Sequence, residues 1–322
     1  MSVENGSGYD GISFAGQVAV ITGSGQSMGR THALDIASRG GTVVVNDIVR
    51  DKADAVVVEI TESGGEAIAS YESVATPKGG KALVDLALDR FGRVDVFIHN
   101  AGFLRNHLFE DLTPDQIDEV FAVHLGAAFY VGQPAYRSMK ENGYGRIVLT
   151  GSTSGMFGRP GQANYCAAKT GLFGVCNALA HEGPPHGILA NCVLPKTVSS
   201  IARDRQQPGF AGTDDERRKS KALDVRKTGQ QVTALVSFLA SRACSVTGQT
   251  FSACAGMYSR VFAGLAAGWL APDATAVTAE DIQAHFEEIE DLRFDGLVPR
   301  SPWEEMSYAY DRLVEAGYMK EV

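Results

Sequence analysis

The sequence predicts an α/β fold in which helices flank both faces of a single doubly wound parallel sheet, with a helical C-terminal extension. Short runs of β-branched and aliphatic residues alternate with longer segments of helical periodicity, as a parallel sheet buried on both faces requires. A glycine-rich turn joins the first apolar run to the first helical segment, and an aspartate follows the second run. After residue 256 the alternation stops, and two helix-capping patterns follow.

The predicted strands are short, apolar and bounded by polar residues or glycine. They are residues 18–22, 42–46, 94–99, 146–150 and 189–194. Between them, residues 30–39 and 80–91 have the apolar spacing of amphipathic helices. Thr113-Pro114-Asp115-Gln116 predicts a helix start, because threonine and glutamine at this spacing form a capping box and proline suits the first turn.

This pattern divides the chain into three parts. Residues 1–13 are polar and glycine-rich, and we expect them to be flexible. Residues 14–256 form the main domain, in which the polar stretch 199–224 follows a strand end, where α/β sheets bind ligands. We interpret 199–224 as a mobile lid over the substrate, with a solvated surface helix as the alternative. Residues 257–322 form the helical extension.

Two capping patterns define the helices of this extension. Ser301 with Glu304 opens the second helix. Thr278 with Asp281 opens the first, whose apolar face is formed by Ile282, Phe286, Ile289 and Leu292. An amphipathic helix buries its apolar face, so we expect the extension to pack on the main domain or on a second subunit.

Composition excludes several classes of protein. Of 322 residues, 44% are hydrophobic and 21% are charged, as in ordinary globular chains. The formal net charge of −9 gives no overall basic field, so we expect no nucleic-acid partner. The apolar stretch at 261–271 is far shorter than the roughly 20 residues of a membrane span. The first nine residues lack the features of a secretory signal, so we expect an intracellular protein.

The cysteines and histidines indicate no metal site. The five cysteines are widely spaced, and none belongs to a Cys-x-x-Cys pair. The seven histidines form no cluster with the spacing of zinc ligands. We therefore expect free thiols that act as small hydrophobic groups, and no metal cofactor.

The turn after the first predicted strand has the composition of a phosphate-binding loop. Backbone N–H groups of a glycine-rich turn at a helix N-terminus can approach a diphosphate closely. The candidate residues here are Gly23, Gly25, Ser27, Met28 and Gly29. Asp47 ends the second strand 18 residues after Gly29, where a carboxylate can accept hydrogen bonds from the adenosine ribose and would repel a 2′-phosphate. The pattern predicts a Rossmann-type site for NAD rather than NADP.

Here the sequence resembles the short-chain dehydrogenases/reductases. Thr22-Gly23-x-x-x-Ser27-x-Gly29 is similar to the Thr-Gly-x-x-x-Gly-x-Gly turn of that family, with Ser27 replacing the middle glycine. His99-Asn100-Ala101-Gly102 resembles the family's Asn-Asn-Ala-Gly element, with its first asparagine replaced. The likeness covers about residues 14–256. It implies that Asn100, Ala101 and Gly102 support the sheet beside the adenosine part of the cofactor.

Tyr165-x-x-x-Lys169 places a phenol and an ammonium on the same face of a helix, and Ser152 lies 13 residues before the tyrosine. A nearby cation favours the phenolate, which an alcohol oxidation needs as its base. The family resemblance implies that Tyr165 is the general acid/base. It further implies that Lys169 lowers the pKa of Tyr165 and binds the nicotinamide ribose, while Ser152 hydrogen-bonds the substrate oxygen.

Two segments depart from the family pattern. His124 stands where the family has an asparagine that supports a proton-relay water, and the sequence leaves open whether His124 takes that role or is only a packed helix residue. In Pro195-Lys196-Thr197-Val198 the lysine replaces a glycine of the segment that meets the nicotinamide. The resemblance therefore carries cofactor contacts over to Pro195 and Val198.

Several segments resemble one branch of the family, the (3R)-hydroxyacyl-CoA dehydrogenase units of peroxisomal multifunctional enzymes. They include Val43-Val44-Val45-Asn46-Asp47 and Gly161-Gln162-Ala163-Asn164-Tyr165. This resemblance implies NAD-dependent oxidation of a (3R)-3-hydroxyacyl thioester, or the reverse reaction. A steroid or another hydrophobic secondary alcohol is the alternative substrate, and a nucleotide-binding protein without turnover is the third hypothesis.

The family resemblance also implies a homodimer or homotetramer that pairs through the long helices. The last residues, Met319-Lys320-Glu321-Val322, are not a peroxisomal targeting signal. We therefore expect a cytoplasmic dehydrogenase.

Overall fold

A computed structural model describes residues 11–198, 213–292, 297–299 and 301–320. Eight strands form one sheet, in the spatial order β3-β2-β1-β4-β5-β6-β7-β8. The strands are β1 (Val18–Ile21), β2 (Thr42–Asn46), β3 (Glu66–Ser70), β4 (Val96–His99), β5 (Gly145–Thr150), β6 (Ile188–Lys196), β7 (Gln249–Cys254) and β8 (Met257–Val261). The sheet confirms the predicted doubly wound α/β fold.

Helices connect the strands and continue beyond them. Those before β6 are α1 (Ser27–Ser38), α2 (Arg50–Glu62), α3 (Pro77–Phe91), α4 (Pro114–Phe121), α5 (Ala127–Tyr130), α6 (Gly132–Asn142), α7 (Thr153–Phe157) and α8 (Ala163–Glu182). A π-helical turn, Ala122–Gly126, joins α4 to α5. The later helices are α9 (Asp214–Ala222), α10 (Gly229–Ala240), α11 (Ala279–Ala284), α12 (Phe286–Ile289) and α13 (Pro302–Glu315).

The strand order places the candidate site. β1 pairs in parallel with β2 on one side and with β4 on the other, so the chain reverses its direction of winding between β1 and β4. Parallel sheets bind ligands outside the carboxyl ends of their strands at such a point. At the far edge, a two-residue turn of Ala255 and Gly256 joins β7 to β8, and both residues have positive φ. A connection this short makes β7 and β8 antiparallel.

The five predicted strands are confirmed as β1, β2, β4, β5 and β6, while β3, β7 and β8 were missed. The sequence of β3 is Glu-Ala-Ile-Ala-Ser, and its side chains are only partly buried along most of its length. Alanine and glutamate are poor strand formers, so β3 forms because it completes the ladder beside β2 and not because of its own propensity. β8 is mostly exposed and lacks a continuous apolar run.

The helix-capping predictions hold, with one correction in the extension. Capping boxes begin α4 at Thr113 and α11 at Thr278, and Ser301 Oγ accepts the Glu304 N–H. The predicted single helix through Leu292 is wrong, because His285 has φ −107° and separates α11 from α12. The His285 ring stacks on Trp269 with centroids 4.1 Å apart, a tertiary contact that periodicity does not reveal.

The chain divides into two compact units, Met1–Arg260 and Val261–Val322. The first contains the sheet, and its core includes Ile21, Val45 and Ile98 from the three central strands. The second contains α11, α12 and α13. Of the predicted lid, residues 199–212 lie outside the described residues, as do 1–10 of the N-terminal segment. The described part of the lid includes the exposed helix α9.

Candidate active site

The glycines of the turn between β1 and α1 are packed so closely that a side chain would not fit at their positions. A Cβ on Gly23 would lie 2.7 Å from the Ala101 Cα, and one on Gly29 would lie 2.3 Å from the Gly23 carbonyl oxygen. Gly23 has φ +62° and Ser27 has φ +50°. Ser27 therefore occupies the left-handed region that favours glycine, which explains why the related turns have glycine there.

The Asn100 segment holds this turn in place from the neighbouring strand. The Asn100 amide donates to the carbonyl oxygens of Thr22 at 3.0 Å and Gly23 at 2.9 Å. In return, the Thr22 hydroxyl accepts the N–H groups of Asn100 and Ala101 at 2.9 and 3.1 Å. These bonds join the carboxyl ends of β1 and β4 at the reversal point.

Asp47 closes the other side of the turn. It is only 8% exposed. One carboxylate oxygen accepts the Gly25 N–H at 3.2 Å and the other accepts the Val49 N–H at 3.0 Å. A Cβ on Gly25 would lie 2.8 Å from that first oxygen. Asp47 is therefore fixed beside the glycine turn, with carboxylate lone pairs available to further donors.

These residues fit a dinucleotide. The turn has no room for side chains at its three glycines, and it lies at the N-terminus of α1. Its N–H groups and the helix dipole suit a diphosphate, and the Asp47 carboxylate suits a ribose diol. Met28 contacts the hydrophobic core from this helix. Gly102 leaves no space for a side chain either, since its Cβ would lie 2.2 Å from the His124 ring.

Ser152, Tyr165 and Lys169 meet beyond the carboxyl end of β5. Ser152 precedes α7, where its Oγ accepts the Ser154 N–H at 3.1 Å and lies near enough to the Tyr165 phenol to lower the pKa of that group. The Lys169 ammonium lies 5.9 Å from the centroid of the Tyr165 ring and donates to the carbonyl oxygen of Thr150. Lys169 is 2% exposed. The three predicted catalytic side chains are thus brought together.

Burial controls the protonation of this group. Burial raises the pKa of Tyr165, while the hydrogen bond from Ser152 and the charge of Arg159 oppose that rise. Burial also lowers the pKa of Lys169 to about 8. At neutral pH this arrangement favours a neutral phenol beside a protonated lysine.

His124 lies against the catalytic tyrosine. The two ring centroids are 5.0 Å apart and the rings are nearly perpendicular. Nε2 of His124 lies 2.7 Å from the Phe103 carbonyl oxygen and 3.1 Å from the Phe103 nitrogen. A ring nitrogen either carries a proton and donates, or lacks one and accepts. Because the contact with the carbonyl oxygen is the shorter one, we assign the proton to Nε2. Nδ1 is then a buried acceptor that has no partner among the described residues.

Burial and the charge of Lys169 hold the pKa of His124 well below its ordinary value. His124 is therefore a neutral imidazole close to the catalytic ammonium. It sits in the π-helical turn, whose Val123 carbonyl oxygen is 3.3 Å from Nε2 of His99. Burial lowers the pKa of His99 to about 3, so this second imidazole is neutral as well.

One positioning residue was not recognised from the sequence. Asn164 donates its amide to the carbonyl oxygens of Arg105 and Gln116, both at 3.2 Å, and its Oδ1 accepts the Tyr165 N–H at 2.8 Å. It thereby ties the start of α8 to the segment after β4 and to α4. Its place immediately before the tyrosine was the only available signal, because its contacts are distant in sequence.

The segment after β6 is less enclosed. Pro195 pairs with Ala253 of β7, and Val198 is 48% exposed. The Val198 N–H donates to the Lys227 carbonyl oxygen at 3.0 Å. Both residues lie at the carboxyl edge of the sheet, where a nicotinamide contact was predicted. That contact stays a prediction.

The residues that the structure describes contain no group of three or more histidine, cysteine or acidic side chains that could hold a metal ion. Within the same residues, no helix combines the length and apolar character needed to cross a membrane.

Comparison with known proteins gives a consistent set of relatives. Residues 17–209 match the family model described as short chain dehydrogenase. The chain is 43% identical to the mouse peroxisomal multifunctional enzyme type 2 over 199 residues, which are 59% of this chain and 27% of that protein. It is 35% identical to a 3-oxoacyl-[acyl-carrier-protein] reductase of Synechocystis over 251 residues, which are 75% of this chain and 96% of the reductase.

Solved structures agree with this result. The full-length peroxisomal multifunctional enzyme type 2 of Drosophila melanogaster matches with a TM-score of 0.75 and 29% sequence identity. The match covers 95% of this chain and 50% of that one. The chain therefore spans about a quarter to a half of these multifunctional enzymes, which carry further parts that it does not match.

Proposed function

Because the chain belongs to the short-chain dehydrogenase family and is an oxidoreductase that acts on CH–OH groups, we propose that it interconverts (3R)-3-hydroxyacyl and 3-oxoacyl thioesters with NAD. The observation that carries this proposal is the meeting of Ser152, Tyr165 and Lys169 at the same carboxyl edge of the sheet as the glycine turn. The name of the Synechocystis reductase supports an acyl substrate. The multifunctional enzymes support the same branch.

The substrate oxygen would lie between Ser152 and Tyr165. Ser152 already accepts the Ser154 N–H, so its hydroxyl is oriented to donate a hydrogen bond. In oxidation, the Tyr165 oxygen accepts the proton of the substrate hydroxyl as the C–H bond of the carbinol carbon breaks. The nicotinamide, when bound, supplies the acceptor for that hydride. In reduction, Tyr165 donates its proton to the carbonyl oxygen.

Lys169 stabilises the phenolate electrostatically when Tyr165 loses its proton. We further propose that Lys169 hydrogen-bonds the nicotinamide ribose. The diphosphate would lie on the N–H groups of the turn at residues 23–29. Asp47 would accept from the adenosine ribose, and its fixed charge disfavours a 2′-phosphate. This is the argument for NAD over NADP.

We propose that His124 takes part in the proton path from Lys169. Its unpartnered Nδ1 is a neutral acceptor, and the charge of Lys169 reaches it strongly enough to lower its pKa. An acceptor next to the ammonium can hold a water or the ammonium itself, which is what the asparagine of related sequences would do.

The test is a comparison of initial rates at about pH 9, where a phenol begins to ionise. The substrates are a (3R)-3-hydroxyacyl-CoA, its (3S) isomer and a panel of hydroxysteroids, each with NAD and with NADP. We expect turnover of the (3R) thioester with NAD. Turnover of steroids alone would replace the acyl assignment, and a preference for NADP would overturn the role given to Asp47. Tight NAD binding without turnover of any member would leave the fold intact and mean that the substrate assignment is wrong.

The predicted cytoplasmic location and the homodimer or homotetramer stay proposals of the same kind. The multifunctional enzymes among the relatives are named as peroxisomal proteins. Fractionation of the expressing cells and light scattering of the purified protein would decide these two points.

A further inference from the structure

A group of cationic side chains lies at the carboxyl edge of β6 and β7. Lys196 is the last residue of β6 and pairs with Cys254 of β7. Arg226 donates its Nε to the Ala255 carbonyl oxygen at 2.9 Å, one residue beyond that pair. The carbonyl oxygen of Lys227 accepts the N–H of Val198, which lies two residues beyond Lys196. The backbones that carry these three cations are therefore joined at one edge of the sheet.

Gln231 fixes the position of Lys196 within this edge. Its side-chain nitrogen donates to the Lys196 carbonyl oxygen at 2.9 Å. Its side-chain oxygen accepts the Gly256 N–H, also at 2.9 Å. One side chain thus bridges the end of β6 and the turn between β7 and β8. Lys196 is attached to a rigid strand end and not to a free loop.

Arg159 links this edge to the catalytic tyrosine. It lies in the segment between α7 and α8, where its carbonyl oxygen accepts the Gln162 N–H at 3.3 Å, three residues before Tyr165. Its positive charge lowers the pKa of Tyr165, against the larger effect of burial. Partial desolvation and the charges of Arg159 and Lys227 lower the pKa of the exposed Lys196. Arg159 is therefore within electrostatic reach of both Tyr165 and Lys196.

The cations differ in whether a nearby protein group already pairs with their charge. Lys227 forms an ion pair with Asp224 at 3.0 Å, and its side chain is only 11% exposed. Arg226 is held by a backbone carbonyl. The Lys196 ammonium has no carboxylate partner among the described residues. In a chain of net charge −9, a cation at the carboxyl edge of the sheet that lacks a carboxylate partner among the described residues adds positive potential there.

We propose that Lys196 binds an anionic group of the substrate at the rim of the active site and selects charged over uncharged acyl substrates. This deepens the proposed function and rests on it. The anion has two possible sources, the phosphates of a coenzyme A thioester and the carboxylate of a free 3-hydroxy acid. A neutral thioester offers neither. The family pattern has glycine at the position of Lys196, so the selection would be a property of this chain.

The experiment measures kcat/KM for three (3R)-3-hydroxyacyl substrates: the coenzyme A thioester, the uncharged N-acetylcysteamine thioester and the free acid. Lys196→Met should lower kcat/KM for the anionic substrate by about tenfold and leave the neutral thioester unchanged. Lys196→Arg should restore most of the loss. Lys140→Met is the matched control, because Lys140 is an exposed lysine on α6 and its loss changes the net charge equally.

The wild-type protein provides a second test that does not depend on a variant. Raising the salt concentration from about 0.01 to 0.3 M should lower kcat/KM for the anionic substrate and not for the neutral one. Equal loss for charged and neutral substrates, in either test, overturns the inference while the thioester dehydrogenase stands. Turnover of the free acid alone, with loss in Lys196→Met, would instead overturn the thioester assignment and keep the anion site.

Discussion

The two ends of the site lie on the same edge of one sheet, yet they are built differently. At the nucleotide end, Asn100 and Asp47 are hydrogen-bonded to backbone groups of the glycine turn, and added side chains would clash. At the substrate end, β6 finishes in the exposed residue Lys196, and Val198, two residues beyond the strand, is exposed as well. A ligand of constant structure can be fitted by backbone geometry, whereas a variable one is selected by side chains on a rim. The following predictions test whether the two ends are energetically separate.

The largest effect is expected where the two ends meet. Tyr165→Phe removes the only atom that exchanges a proton with the substrate and keeps the ring against His124. We expect kcat to fall by about 10²- to 10⁴-fold, the usual contribution of a positioned acid or base. The Kd for NAD should stay within about twofold, measured by fluorescence or calorimetry. Tyr136→Phe, on α6, removes a phenol elsewhere and is the control.

A strong loss of NAD affinity in Tyr165→Phe would show that the two ends are coupled through the tyrosine. The same assay gives the pH dependence. Because burial raises the pKa of Tyr165, oxidation should gain rate as pH rises, since the base is the phenolate. Reduction should lose rate over the same range, since the acid is the phenol.

Asp47→Asn tests the nucleotide end alone. The amide keeps the shape, but its single oxygen can accept only one of the Gly25 and Val49 N–H groups, and it loses the charge that strengthens hydrogen bonds to a ribose. Charge-assisted hydrogen bonds contribute about 1.5–3 kcal/mol, so kcat/KM for NAD should fall by roughly 10- to 100-fold. The discrimination against NADP should shrink, and KM for the acyl substrate should stay constant.

Asp51→Asn removes an exposed carboxylate from the first turn of α2 and is the matched control. If it changes cofactor preference as much as Asp47→Asn does, a general field effect and not the ribose contact accounts for the result.

Helix α1, which follows the glycine turn, contains a buried histidine that makes stability depend on pH. Nδ1 of His32 lies 2.8 Å from the Thr233 hydroxyl, and burial lowers the pKa of His32 to about 3. The unfolded chain binds a proton near pH 6.5 and the folded chain does not, so stability is complete above that pH and is lost as pH falls toward 3. The slope is about 1.4 kcal/mol per pH unit for one histidine.

We expect urea midpoints to fall steadily between pH 7.5 and pH 5, over the range in which unfolded histidines titrate. His32→Gln should reduce the slope by about one proton, whatever its effect on stability at pH 7.5. His186→Gln removes a partly exposed imidazole and is the control. An unchanged slope in His32→Gln would mean that His32 is protonated in the folded protein.

The sequence predicts the nucleotide end better than the substrate end for a physical reason. A turn without room for side chains leaves glycines at fixed spacing, and β1 and β2 are continuous apolar runs. The support from Asn164 and the break at His285 arise from contacts between distant segments, which leave no periodic signal. β3 is weakly apolar and depends on its neighbour for its ladder, so its own residues could not predict it.

The smallest expected effect distinguishes backbone strain at Ser27 from the contribution of its hydroxyl. Ser27 has φ +50°, where a residue with a Cβ is disfavoured by about 1 kcal/mol and glycine is not. Ser27→Gly should therefore raise the free energy of unfolding by about 0.5–1 kcal/mol, partly offset by the greater freedom of glycine in the unfolded chain. Ser27→Ala is the matched control, because it keeps the strain and removes only the hydroxyl. If urea unfolding shows Ser27→Gly to be no more stable than Ser27→Ala, backbone strain does not limit this turn.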